Sequence, residues 1–267
     1  MLSFAVSSIA CADSWEPWED QLVVAPNGKY YVVMFRSGGP KVAGEWGPVE
    51  FTICERAKDS PPLMSAKSNV VVLDDEYDSK GGRLYKIEPN INVEARIGDH
   101  ILGGGNLKRP PKSIVVSNEG LGFAGIDVWG YNYGHYDEGL KADDAIVIIS
   151  ANGKVIHRKS LVELFADKGL KDFETTAGGM FWSSSRNPGW IDDTLKQLVV
   201  VSAENAKQPS QRFVKYLDWQ TGEITNGPTL NSDLEVNALH AKHIDRAIVK
   251  SRNNALQPRH LRHRVNR

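Results

Sequence analysis

The run Asp143-Asp144-Ala145-Ile146-Val147-Ile148-Ile149-Ser150-Ala151-Asn152-Gly153-Lys154-Val155-Ile156-His157 decides how this chain is read. β-branched apolar residues climb to Asn152-Gly153, a dipeptide suited to a tight reversal between twisted strands, and a second strand returns. Looser versions of the same strand-turn-strand unit lie at residues 23–35, 114–127 and 198–224. In the first, Pro26 sets φ for a turn and Gly28 supplies a residue able to take positive φ. Repeated short hairpins predict an all-β array.

Alternation supports a further strand at 49–54, and residues 69–73 and 83–87 bracket a polar turn as a further strand pair would. Helical signals are few. Ser160 followed by Glu163 forms a capping box before an apolar run, which predicts a short helix. Residues 233–248 place Leu234, Ala238, Ala241 and Ile244 near helical spacing, and Pro258 discourages a longer run.

Ala25-Pro26-Asn27-Gly28-Lys29-Tyr30 resembles the Ser-Pro-Asp-Gly-Lys-Tyr signature of WD40-like, TolB-like and quinoprotein-like β-propeller repeats. Ser117-Asn118-Glu119-Gly120 resembles it less closely, lacking the Pro. Ala151-Asn152-Gly153-Lys154-Val155 and Trp219-Gln220-Thr221-Gly222-Glu223-Ile224 resemble outer-strand turns of such blades. The resemblance implies an irregular propeller-like array, and the available length of about 200 residues implies four or five blades of ~40–45 residues. On that reading the 92 residues between Gly28 and Gly120 span two blades. A two-sheet β-sandwich is the alternative fold.

The organisation expected is a signal segment at 1–12, a β domain at 13–232, and a helical, basic extension at 233–267. Residues 1–13 are apolar and small and carry Ala10-x-Ala12 before Asp13, which points to export; an ordinary apolar start is the competing reading. Cleavage there leaves Cys54 as the one cysteine, and its alternating surroundings mark it as a core strand residue. Residues 242–267 hold eight Lys/Arg against one acid, so the remainder of this chain of net charge −1 is at −8. An acidic body gives no reason to expect nucleic acid as a partner. The tail reads as a solvated end, with weak contact to an anionic surface as the functional alternative.

Ligand contact is expected from two aromatic, polar segments. The first is 129–139, with Trp129, Tyr131, Tyr133, His135 and Tyr136; the second is 181–190, with Trp182, Arg186 and Trp190. Aromatic faces stack on sugar rings, and the polar members hydrogen-bond. The bland alternative packs these aromatics over their own sheets.

His135 and Asp137 are the acid/base candidates of an enzymatic alternative, a hydrolase or lyase acting on a glycan or lactone. The acidic pairs Asp74-Asp75, Asp143-Asp144 and Asp192-Asp193 do not converge by themselves, because neighbours on a strand point to opposite faces. His240-x-x-His243 and His260-x-x-His263 have helical spacing for metal but no further ligand nearby. Gly103-Gly104-Gly105 precedes Pro110-Pro111 rather than a helix, so it reads as a flexible turn and not a phosphate loop.

No Gly-x-Ser-x-Gly, His-Glu-x-x-His, Walker A or Cys-x-x-Cys motif occurs. The expectation is therefore an exported, non-catalytic binding or scaffold module without metal or cofactor, whose partner is a protein or a glycan.

Overall fold

A computed structural model describes residues 21–36, 48–58, 66–67, 70–77, 83–87, 99–128, 144–170, 173–176, 179–184, 187–205, 207 and 210–256. Its strands are short and antiparallel, and the fold is predominantly β. Three sheets carry it. The first joins β1 (Gln21–Val24), β2 (Tyr30–Arg36), β3 (Val49–Glu55) and β7 (His100–Leu107) as a meander, with the two-residue β4 (Ala66–Lys67) beside β1. The second is the meander β8 (Pro111–Val116), β9 (Gly122–Val128), β10 (Ile146–Ser150), β11 (Val155–Lys159). The third is β14 (Gly189–Asp192), β15 (Gln197–Val201), β16 (Arg212–Asp218), β17 (Ile224–Leu230). Two hairpins, β5 (Val70–Tyr77) with β6 (Arg83–Ile87) and β12 (Glu174–Thr176) with β13 (Gly179–Phe181), are separate. The sheets do not close into a ring among the described residues.

The three meanders stack face to face. Val32, Met34, Phe51 and Ile53 of the first sheet pack with Ile114, Phe123, Val147 and Ile149 of the second. The other face of the second sheet, with Ile126, Ile146 and Ile148, meets Leu198, Val200 and Leu217 of the third. Ile146 to Ile149 are therefore buried on both sides, which is why that strand is continuously apolar instead of alternating. Leu198 to Val201 repeat the pattern one sheet further on. Cys54 is a core residue of β3, 2% exposed, and burial pushes its thiol pKa up to about 12.

The first turn of each meander has one design. Gly28, Gly120 and Lys196 each lie four residues past the end of β1, β8 and β14, and all take positive φ, at 69°, 72° and 53°. These turns are wired together. The Asn27 N–H donates to Asn118 Oδ1 at 2.8 Å, and Asn27 Nδ2 to the Asn118 carbonyl at 2.7 Å. On the other side Asn118 N–H donates to Asp193 Oδ2 at 2.9 Å, and the buried Ser117 hydroxyl donates to Asp193 Oδ1. The 92 residues from Gly28 to Gly120 thus span one meander plus the inserted β4–β6 region, so they join consecutive sheets and not sheets two apart.

The Asn152-Gly153 and Thr221-Gly222 turns close the third hairpin of their meanders. Gly103-Gly104-Gly105 is not a flexible turn; it is the middle of β7. A Cβ on Gly103 would run into the Asn152 backbone, and one on Gly153 into the Gly104 backbone. The triple glycine exists because the turn of the second sheet rests on the last strand of the first.

Helix α1 (Leu161–Leu170) begins with the reciprocal cap expected: Ser160 N–H donates to Glu163 Oε2 at 2.7 Å, and Glu163 N–H to Ser160 Oγ at 3.3 Å. Helix α2 (Asp233–Leu256) runs eight residues beyond the predicted Ile248. It covers the free face of the third sheet, where Val236 packs with Trp190, Val199, Val201, Val214 and Leu230. Its start is pinned by Arg212, whose Nη2 lies 2.7 Å from Glu204 and 2.8 Å from Asp233.

Candidate functional site

Asp127 is the one carboxylate in the apolar run Gly122–Val128, and its backbone has left-handed φ, 58°. Asp tolerates that conformation better than most residues, but its use in the interior of a sheet marks a constrained position. The carboxylate is 14% exposed and takes three partners. Trp182 Nε1 donates to Oδ1 at 2.9 Å, Ser183 Oγ donates to Oδ2 at 3.1 Å, and Lys112 Nζ lies 3.7 Å from Oδ2. Burial raises the Asp127 pKa above the usual carboxylate range; the Lys112 charge and the bonds from Ser183 and Trp182 pull the other way.

Asp127 and two of its partners, Trp182 and Ser183, are themselves fixed. Asp127 N–H donates to the Ala145 carbonyl at 2.8 Å, which orients the strand end. Ser183 is bridged to Ser202, and Ala203 N–H donates to the Trp182 carbonyl at 2.7 Å. Asp127 stands two residues before Trp129, and Trp182 and Ser183 belong to the 181–190 segment. One carboxylate therefore ties the strand that leads toward the first aromatic segment to Trp182 and Ser183 of the second.

The expected ligand-binding residues separate into two groups. Trp129, Tyr131, Tyr133, His135, Tyr136 and Arg186, and the acid/base candidate Asp137, lie outside the described residues, as do residues 1–12 and the basic residues beyond 256. Trp182 and Trp190 are described, and both are corrected by their burial. Trp182 is 1% exposed, packed with Phe165 at a centroid distance of 6.0 Å, so it has no open face to stack on a sugar. Trp190 is 6% exposed, and the His240 ring of α2 lies over it at 4.6 Å, occupying the position a ligand ring would take. Both tryptophans serve the core, the reading in which aromatics pack over their own sheets.

The acidic pair Asp192-Asp193 diverges as strand alternation requires. Asp193 faces Ser117 and Asn118, whereas Asp192 Oδ2 lies 2.6 Å from Nδ1 of the buried His243 on α2. Asp144 pairs with Arg158. Among the described residues no group of three or more His, Cys, Asp or Glu is placed to hold a metal ion. His240 and His243 are spent on α2 docking, and burial together with the His243 charge holds the His240 pKa low.

Asp127 escaped the sequence reading. The available signal was a single acid inside an otherwise apolar strand, Phe123-Ala124-Gly125-Ile126-Asp127-Val128, a position where an unpaired charge is costly and a built partner set is expected. No helix among the described residues is long and apolar enough to cross a membrane. No protein-family model, no curated protein and no solved structure matches the chain.

Proposed function

We propose that this chain is an exported, non-catalytic binding or scaffold module, built on a propeller-like arc of sheets, that contacts a glycan through the 129–139 segment. The observation that carries the reading is the Asp127 node, which bonds the chain just ahead of that segment to Trp182 and Ser183. Its partners Trp182, Ser183 and Lys112 all belong to the protein itself, so the node has a positioning role in this reading. Burial of Trp182 and Trp190 shifts the ligand-facing role onto Trp129, Tyr131, Tyr133, His135 and Tyr136, with Arg186 of the second segment. A protein partner is the other occupant of the same residues.

The propeller-like part of the reading is supported by three consecutive four-stranded meanders packed face to face, with their first strands β1, β8 and β14 side by side. Helix α2 occupies the face on which a following blade would pack. The experiment is glycan-array binding of the labelled full chain and of a Trp129→Ala, Tyr131→Ala, Tyr133→Ala variant. Saccharide binding lost in the variant, at unchanged unfolding midpoint, is the expected result. Binding that survives the triple substitution removes the 129–139 segment from the proposal, and an array with no bound saccharide removes the glycan.

A further inference from the structure

Helix α2 has two apolar stripes and spends only one of them. Val236, Leu239, His240 and His243, spaced i, i+3, i+4, i+7, face the third sheet. On the opposite side, Leu234, Ala238, Ala241 and Ile244 form the stripe that helical spacing picked out, and all four are exposed. Leu234 is 79% exposed and Ile244 45%, two of the three large apolar side chains that stand open among the described residues. A stripe of this kind along a helix is an interaction surface in search of a partner.

We propose that this outer face of α2 pairs with the same face of a second copy of the chain, as an antiparallel helix pair about a two-fold axis. Three pairings share nearly the same centre, close to residue 239. Leu234 of one copy falls opposite Ile244 of the other. Ala238 falls opposite Ala241, small residues that let the two helix axes approach to about 8 Å. Glu235 and Lys242, seven residues apart on one flank of the stripe, fall opposite each other. In an antiparallel pair same-flank positions meet, so each protomer gives one Glu235–Lys242 contact and receives another. A parallel pair would instead set each flank against the opposite flank of the partner, so Glu235 and Lys242 would not meet. The helix dipoles also oppose each other in the antiparallel arrangement. The surface is separate from the Asp127 node and independent of the glycan reading.

The stripe spans roughly 15 Å of helix, so the dimer it forms is weak and concentration-dependent. Sedimentation equilibrium of the full chain between about 1 and 200 µM is the measurement. A reversible monomer–dimer equilibrium is expected. Leu234→Arg and, separately, Ala238→Glu are expected to leave a monomer throughout with an unchanged unfolding midpoint, since both side chains are exposed in the protomer. Lys242→Glu is expected to raise the dissociation constant about tenfold, and Glu235→Lys with Lys242→Glu to recover most of that loss. A chain that stays monomeric throughout overturns the proposal, including the case in which another part of the same chain covers the stripe. A dimer indifferent to Leu234→Arg and Ala238→Glu overturns it as well. A double charge reversal as weak as the single one overturns the antiparallel register.

Discussion

Asp193→Ala is the most direct test of how the three meanders are held in one stack. Asp193 is 7% exposed and lies at the start of the β14–β15 turn. Its carboxylate accepts from the fully buried Ser117 hydroxyl and, at 2.9 Å, from Asn118 N–H. Asn118 in turn bonds Asn27, so removal of one carboxylate cuts the chain of turns between the second and third sheets. Each charge-assisted bond contributes on the order of 1.5–3 kcal/mol, and truncation also leaves donors without their acceptor. Part of that is recovered by water at the less buried Asn118 N–H, so the expected loss is about 3 kcal/mol. For a chain of this size that lowers the melting temperature by roughly 6–12 °C. Urea unfolding followed by far-UV circular dichroism gives the free energy directly. Ser117→Ala alone is expected to cost about 1–2 kcal/mol, and the double variant less than the sum, because the two groups share one bond. A loss under about 0.5 kcal/mol for Asp193→Ala, or strict additivity with Ser117→Ala, would refute the idea that this carboxylate couples the sheets.

Three further outcomes are expected. Gly103→Ala forces a Cβ into the Asn152 backbone and should cost about 1–3 kcal/mol in the same urea experiment, an effect absent if β7 and the Asn152-Gly153 turn do not touch. Burial raises the Asp127 pKa in the folded state, so its contribution to stability is full below about pH 4 and is lost as pH rises through the folded pKa. The stability of the wild type minus that of Asp127→Asn should therefore fall as pH rises above the ordinary carboxylate range, and a flat or rising difference would contradict the desolvated placement. Ser160→Ala should cost about 1 kcal/mol by loss of the α1 cap, read as a lower thermal midpoint, with no change counting against the reciprocal bonding to Glu163.

Local chemistry was legible where it is decided locally. Asn152-Gly153, Thr221-Gly222 and the Pro26-Asn27-Gly28 turn each announce a reversal through residues whose φ preferences are intrinsic, and Ser160 with Glu163 announces a cap. Features set by another part of the chain were not legible. Gly103 to Gly105 look like a loop in isolation, and their reason lies in a turn almost 50 residues later. Trp182 and Trp190 look like ligand-facing aromatics because they neighbour polar residues, yet one fills the space between α1 and the second and third sheets, and the other lies under α2. Helical spacing found the Leu234 stripe of α2 correctly but not that the helix turns it outward. Periodicity reports that a face is apolar, and only the docking partner decides which apolar face is buried.

The face that α2 buries instead explains that choice. Val236 and Leu239 supply modest apolar area, and the rest of the contact is aromatic and ionic: His240 over Trp190, His243 against Asp192, Arg212 against Asp233 at the helix start. Asp192 is itself held, since its Oδ1 accepts from Thr194 and Leu195 N–H at 2.9 and 3.0 Å, so its Oδ2 points at one place only. A buried carboxylate of fixed direction favours a cationic neighbour, and His243 is the residue of α2 whose Nδ1 lies 2.6 Å from it. Turning the helix to bury Leu234 and Ile244 would take His243 away from Asp192 and leave Arg212 without Asp233. The polar groups of the third sheet thus set the rotation of α2, at the cost of presenting its more apolar stripe to the outside. A helix oriented by charge and not by hydrophobicity is left with a sticky outer surface, and pairing with a second copy is the arrangement of this chain that covers it.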